Sequence, residues 1–559
     1  MLLNHNFLIL LSSLIYALFS IIFSYYSYPQ EDALILFRYA NNLAESGMIT
    51  FNLYGELAEG GTDFLWLVIL AIFKSLGIDT FVSTIIFSSI SLAIISKIII
   101  EEIAPNKNNY FYILILIIFL NIGQIVGASI LGFSTLIFCT IGLLLYKYAY
   151  HQNMKAWVFL SIIFCLFRPE AVIFFIPTIF MVFQKDNIKS FLTHLLIIVI
   201  VGAAYFIWRY LYFSELLPLP LMVKQIGGEL SLRRLFATIS MFTSTLTISL
   251  VIPILIYIVQ YRKEFFSLKN KNLYFFSIIL IFAFLYVFSI STGYSSQNIF
   301  FRYFAPIYFI IFIMSVYSLS KIGNKLLIFS LILLTFGSID NSNLVNRILD
   351  IENRKISHPT YRAIYREFTE KSFRNHPVVQ MGNSLGVIKN NKFTIMLTEA
   401  GAIPYLSNSK VTDMAGLNTK EYAKNPVTCE DFNNIKPDLI EIDVGIVSQF
   451  NYKAIVENES IPSCGFIDKD YLYEDDNVLD KDLLFLIDTY HNDLYDENHL
   501  NATVRVAAFN TLFCMKDNEL YDEVFINKKS DQIYFLNSSN NIKNAVINSC
   551  NIDKHGYFN

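Results

Sequence analysis

Six carboxylates and a single guanidinium occupy the stretch from Pro29 to Trp66, directly after the first long apolar run: Glu31, Asp32, Glu45, Glu56, Glu59 and Asp63 stand against Arg38. Carboxylates crowded beside an apolar segment suit two chemistries. One is general-base removal of a proton from an incoming hydroxyl, helped by positive charge where a phosphate departs. The other is capture of a divalent cation, Mg or Mn, by Glu31, Asp32, Glu59 and Asp63. Residue types alone leave both open.

Local pattern sets the frame for these side chains. Ala33–Glu45 has an apolar stripe at helical spacing through Leu36, Ala40 and Leu43, and Gly47 suits the left-handed position after a helix end. Asp32 then falls at the expected N-cap, where its carboxylate accepts from backbone N–H groups. That explains Asp32 structurally and leaves Glu31 as the favoured base. Arg168, Arg209, Lys224, Arg233, Arg234 and Arg302 fall at the ends of apolar runs opposite the lysine-rich loops. Basic residues there run against the positive-inside bias, and an anionic ligand is the reason we expect for them.

The elements that must carry these residues divide in two. The chain has 559 residues, 54% hydrophobic and only 16% charged, with a mean hydropathy of +0.48; these are membrane-protein proportions. Apolar segments of spanning character lie at Phe7–Tyr26 and at about 80–100, 110–130, 133–150, 156–168, 171–185, 190–213, 243–260, 273–291, 302–320 and 325–340. Phe64–Ile78 reads as a juxtamembrane helix. Residues 1–340 are therefore expected to form a polytopic α-helical domain of about 11 transmembrane helices, with a first external loop at 28–79.

Lys147, Lys155, Lys185, Lys189, Arg262, Lys263, Lys269, Lys271, Lys321 and Lys325 mark the cytoplasmic loops. This places the first loop and the polar residues 341–559 outside. That C-terminal part alternates short apolar strands, at Pro377–Gln380, Phe393–Leu397 and Leu439–Asp443, with helical stretches such as Tyr361–Lys371, and reads as an extracytoplasmic α/β domain. Its cysteines, Cys429, Cys464, Cys514 and Cys550, allow two disulfides whose connectivity the sequence leaves open. Cys139 and Cys165 read as packing residues, and His358 and His376 as surface histidines. No basic run, zinc-spaced Cys/His set or Gly-rich phosphate loop is present in the sequence, so nucleic acid is not an expected partner.

Several motifs in order resemble a known family. EDALILFRYANNLAESGMITFN with Glu59-Gly60-x-Thr62 and Leu65-Trp66 resembles the first external loop of the polyprenyl-phosphate-sugar-dependent GT-C glycosyltransferases, in the branch that includes the terminal arabinofuranosyltransferases and bacterial relatives. Arg168-Pro169-Glu170, the segment from Trp208-Arg209-Tyr210 to Lys224, and Arg302-Tyr303-x-x-Pro306 resemble later motifs of that branch. Glu399-Ala-Gly-Ala-Ile-Pro-Tyr405 and Asp413-Met-Ala-Gly-Leu417 resemble a segment of its soluble part. The chain departs from the pattern in having Glu31 where the branch has Asp, and Ser129-Ile-Leu-Gly132-Phe133 where the branch carries an acid.

The resemblance implies a GT-C-like integral protein of a bacterial inner membrane. It implies inverting transfer of a hexosyl or pentosyl group from a polyprenyl-phosphate donor to a glycan, lipid or protein acceptor on the outer face, amid membrane lipids. Glu31 or Asp32 would act as base. Arg209, Lys224 and Arg302 would hold the phosphate, with Arg38 and Arg168 also facing substrate, and Glu59 and Asp63 would orient the acceptor or a metal. Two other readings are a flippase of lipid-linked saccharide and an inactive membrane-anchored binding protein. Neither accounts for acids and arginines gathered at one face.

Overall fold

The computed structural model describes residues 5–26, 29–183 and 188–225 (without 121, 123 and 124), pieces of 235–261, 285–286, 299–322, 377–388, 393–443, 464–469 and 499–550 (without 517, 522, 529–531, 538 and 539). The expected helix Tyr361–Lys371, both His358 and His376, Arg233 and Arg234, nearly all of the apolar segment 273–291 and the whole of 325–340 lie outside the described residues.

The chain is mostly helical. Helix α1 is His5–Tyr26, α2 Glu31–Ser46, α3 Phe64–Ser75, α4 Thr80–Ile98, α5 Asn109–Leu120, α6 Val126–Ile130, α7 Thr135–Tyr150, α8 Met154–Phe167, α9 Ala171–Val182, α10 Ile188–Phe213 and α11 Leu219–Gln225. A further helix, Ala305–Lys321, follows a 3-10 turn at Ile299–Phe304. Among the described residues, four helical stretches are long and apolar enough to cross a membrane: His5–Ile22, Thr80–Ile103, Ile188–Phe213 and Arg302–Lys321. The expected eleven are not reached by length. The runs at 110–130, 133–150, 156–168 and 171–185 yield regular helices of 12, 16, 14 and 12 residues, short of the roughly 20 that a full span takes. The run at 110–130 is interrupted, with α5 ending at Leu120 and α6 starting at Val126. Phe64–Ser75 is a helix of 12 residues, within the expected helical stretch Phe64–Ile78.

The helix ends sort into two levels. At one, Lys147 and His151 at the end of α7 pair with Glu102, and the Tyr261 hydroxyl donates to the Lys321 carbonyl. At the other, the start of α7 meets the first loop through Ser134 and Asp63.

The C-terminal part carries a six-stranded sheet in the order β2-β1-β3-β6-β5-β4. The strands are β1 Thr394–Leu397, β2 Lys410–Asp413, β3 Leu439–Asp443, β4 Cys464–Asp468, β5 Glu523–Asn527 and β6 Gln532–Leu536. Strands β2, β1 and β3 are parallel, and the rest are antiparallel. Since the chain passes from β1 to β2 on one side and then to β3 on the other, a crevice opens beyond the carboxyl ends of β1 and β3.

Phe393–Leu397 and Leu439–Asp443 are strands as their sequence suggests, whereas Pro377–Gln380 begins a helix, Pro377–Val387. A four-residue apolar run fits either state. Pro377 at the first turn and burial of Val378, Val379, Met381 and Leu385 fix it as helix. Cys429 and Cys514 form a disulfide, and Cys464 is disulfide-bonded as well. Cys139 and Cys165 are free thiols.

Helix α2 joins the two parts. Its residues Ala33 to Ala40 are all buried, on every face. One side packs on the helices of the N-terminal part and the other on the short helix Ala402–Ser407 of the sheet domain. Phe37 shows both contacts, its ring lying 6.4 Å from Phe81 and 6.3 Å from Tyr405. The four consecutive apolar residues Leu34-Ile35-Leu36-Phe37 are what a helix with two walls requires; a one-sided surface helix would alternate.

Candidate active site

Helix α2 starts at Glu31, with Gln30 at the N-cap and no side-chain cap. Asp32 is therefore inside the first turn rather than capping it. Its carboxylate Oδ2 receives a hydrogen bond from Arg302 Nη2 at 2.6 Å. The Asp32 side chain keeps 35% exposure while that of Arg302 keeps 8%. The guanidinium lies 4.0 Å from the centre of the Phe133 ring and 5.2 Å from that of Tyr303, and its Nη1 is buried without a hydrogen-bond partner. An unspent donor on a buried cation is an opening for an anionic oxygen.

Phe133 reaches Arg302 because Gly132 precedes it. Gly132 has φ +100°, and a Cβ there would lie 3.1 Å from both Ala33 Cβ and Phe37 Cζ. The Gln30 N–H donates to the Leu131 carbonyl, so this segment, where the family pattern has an acid, instead seats α2 and offers an aromatic face to Arg302.

Glu31 turns the other way. Its Oε1 accepts from the Gly401 and Ala402 N–H groups at 2.6 and 2.8 Å, and Oε2 is buried without a partner. Burial pushes its carboxyl up to about 7 against the pull of those two amides. Glu31 thus has a structural role across the junction, and the pairing that leaves it spare for chemistry is reversed: the more open carboxylate is Asp32.

The close approach depends on Gly401. A Cβ there would collide with the Glu31 carbonyl oxygen and lie 2.6 Å from its Cδ. Gly401→Ala is expected to weaken the chain by about 1–3 kcal/mol through overpacking, read as a lower unfolding midpoint in detergent. Gly202→Ala, where a Cβ meets nothing within 4 Å, is the control and should be neutral.

Arg38 is likewise structural. It is 4% exposed, and donates to the carbonyls of Phe51 (2.6 Å), Ser409 (2.7 Å) and Pro404 and to Asn52 Oδ1 (3.1 Å). Asn52 pairs in turn with both the N–H and the carbonyl of Val411 on edge strand β2. Every described group of Arg38 is committed to holding the loop against the sheet domain, which leaves nothing to face a substrate.

Glu59 and Arg209 are expected at the substrate but find each other. They form an ion pair with both side chains 2% exposed. Arg209 also donates to the Leu216 carbonyl and Tyr205 hydroxyl. Burial holds the Glu59 carboxyl at about 7 despite Arg209. The Glu59 carbonyl accepts from Leu219 N–H at the start of α11. Lys224 lies on α11, and its side chain is outside the description.

Asp63 accepts from Ser134 Oγ and Thr62 Oγ1 and lies 3.6 Å from Arg168 Nη1, whose Nε bonds Glu170 at 2.6 Å. Tyr286 and Tyr303 are within electrostatic reach of Arg168. Arg168 and Arg302 are thereby drawn towards one aromatic, polar region around Tyr303.

The four carboxylates proposed for a cation therefore turn to four different partners and form no shared site. Among the described residues no group of three or more His, Cys, Asp or Glu side chains is placed to hold a metal.

Sequence reasoning gave no role to Phe133, Tyr303, Ser134, Asn52 or Gly401. Asn52 and Gly401 sat within recognised motifs, but their tasks depend on partners 359 and 370 residues away. A cavity of about 490 Å³ runs between α7, α9 and the helix Ala305–Lys321, lined by Phe138, Tyr146, Phe164, Phe174, Phe309 and Met314; the Phe138 ring lies 5.7 Å from the Arg168 guanidinium. Its far end reaches Glu102, Lys147 and His151.

Residues 362–486 match the model of a domain of unknown function, DUF8728. No curated protein and no solved structure matches the chain.

Proposed function

We propose that this chain is a membrane glycosyltransferase that moves a sugar from a polyprenyl-phosphate donor to a hydroxyl of a cell-envelope glycan, lipid or protein, with inversion. The observation that carries the reading is the Asp32–Arg302 pair, in which a partly open carboxylate stands beside a buried guanidinium with one donor unspent. Asp32 takes the acceptor's proton. Arg302, with Arg168 behind it, offsets the charge of the phosphate that leaves. The apolar cavity lined by Phe138 has the lining that a donor's hydrocarbon tail needs.

Sidedness follows in the same reading. The first loop and the sheet domain hydrogen-bond each other, so they share one side whatever the number of spans. Disulfides belong to an oxidising compartment, and the lysine-bearing ends of the helices lie at the other level. In this reading the chain is a multi-pass protein of a bacterial inner membrane, with the acidic loop and sheet domain outside.

The test is transfer in membranes containing or lacking the chain, supplied with polyprenyl-phosphate sugars, with mass analysis of envelope glycans after gene deletion. A chain-dependent release of polyprenyl phosphate with a new glycosidic linkage is expected. Unchanged glycans and no release with any donor would sink the reading.

A further inference from the structure

The crevice beyond the carboxyl ends of β1 and β3 holds more acid than a binding surface for Glu31 needs. Glu441, fully buried on β3, accepts from Thr398 N–H at 3.0 Å and from the Thr398 hydroxyl and Glu399 N–H at 3.3 Å. Glu399 and Glu441 share the side-chain amide of Gln532, at 3.0 and 3.2 Å, and Gln532 in turn accepts from the Tyr534 hydroxyl. The Asp443 N–H donates to the Thr398 hydroxyl, and the Asp443 carboxyl bonds that of Glu399. Two carboxyl groups can share a hydrogen bond only with a proton between them. Glu31 enters this crevice from the first loop, close enough for its charge to act on Glu399.

Three elements thus bring four carboxyls together: Glu31 from α2, Glu399 from the turn after β1, and Glu441 and Asp443 from β3. Asp32 adds its charge from the same helix as Glu31, and the buried ring of Tyr534 closes the β6 side. The nearest arginines face other groups, Arg302 pairing with Asp32 and Arg38 with carbonyls and Asn52. The Glu31 oxygen that meets no partner, Oε2, is the natural place for a proton. A neutral carboxyl keeps Oε1 as acceptor for the two amides and avoids a buried bare charge.

We propose that Glu31 and the Glu399–Glu441–Asp443 cluster form a proton-operated latch, which holds the first loop and the sheet domain together while it retains its protons and releases them as it loses them. The latch is independent of the transfer reaction. Its direction follows from burial, which raises the carboxyls of Glu31, Glu399 and Glu441 above their usual range. Groups whose pKa is higher when docked favour docking fully below their ordinary pKa near 4.5. That contribution is lost as pH rises through the docked values, about 7 for Glu31 and about 8 for Glu441.

Hydrogen exchange of the full chain in lipid nanodiscs, corrected for the intrinsic pH dependence of exchange, reads the latch directly. In the native chain, protection of peptides spanning 394–413 and 31–46 is expected to fall between pH 6 and 9, by up to about tenfold per pH unit for each proton lost. Peptides of β5 and β6 should hold their protection throughout. Glu399→Gln keeps the shape and removes a titrating group, so its loss should be shallower or displaced to higher pH. Flat protection across the range in the native chain would overturn the proposal. So would a Glu399→Gln profile identical to the native one, or loss in β5 and β6 in parallel with the crevice.

Discussion

An Asp32→Asn chain is expected to transfer sugar about 10²–10⁴-fold more slowly than the native chain, the usual loss when a general base is removed. Asparagine preserves the size of the side chain and can still accept from Arg302 Nη2, which lies 2.6 Å from Oδ2, so the first turn of α2 should stay in place. What disappears is the capacity to take a proton, along with the charge balancing Arg302. Glu31→Gln should cost less than tenfold in the same assay at neutral pH. Its amide oxygen can still accept from Gly401 and Ala402, and it does not touch the reacting hydroxyl. The comparison is read as transfer rate in membranes at matched protein levels. A larger loss in Glu31→Gln than in Asp32→Asn would return the base to Glu31, and full activity in both would remove the first-loop acids from the chemistry.

The second large effect concerns stability. Arg209→Leu should destabilise the chain by about 3–5 kcal/mol at pH 8, because it strands the Glu59 carboxylate in a site where only 2% of the side chain is exposed. The sign of the pH dependence is fixed. Glu59 already sits at about 7 with Arg209 beside it, and without that cation its pKa rises further. Below that value the carboxyl is neutral and the penalty shrinks; as pH climbs through it, the penalty grows. Adding Glu59→Gln to Arg209→Leu should restore much of the lost stability at high pH, since no buried charge then remains. Thermal unfolding in detergent across pH 5.5–8.5 measures this. A loss below 1 kcal/mol, or one that is flat with pH, would mean that the pair reaches solvent.

These two experiments fall on residues that the sequence singled out for one reason and the structure uses for several. Asp32, Arg302, Glu59 and Arg209 were all visible as charges out of place beside apolar runs, and all four are engaged in ion pairs between distant segments. What the sequence could not provide was the pairing. Arg302 lies 270 residues from Asp32 and Arg209 lies 150 from Glu59, and no local pattern encodes such a separation. The misreading of Asp32 has a local cause. Asp is a strong N-cap residue and Gln is not, yet the helix begins two residues earlier, with Gln30 as N-cap, because the Gln30 N–H is taken by Leu131 and its carbonyl by Ala33 and Leu34.

The strands β1 and β3 were legible because β-branched and apolar residues in short bounded runs leave little choice, as in Leu439-Ile-Glu-Ile-Asp443. Even there, the buried Glu441 in the middle is explained only by Thr398 and Gln532 from neighbouring elements. Arg38 gives the sharpest contrast. The resemblance placed it at the substrate, but four carbonyl and amide acceptors from the loop and the sheet domain surround it.

Helix α2, walled on one side by membrane-domain helices and on the other by a segment 370 residues further along, also sets a timetable. At about 5–20 residues per second, roughly 20–70 s pass between the synthesis of Glu31 and that of its partner amides. Throughout that interval Leu34, Phe37 and the future seat of Tyr405 are an apolar shelf with nothing laid on it. A newborn chain must therefore keep this shelf covered by other apolar groups or by a chaperone. Any chain truncated before Gly401 would keep it open for good.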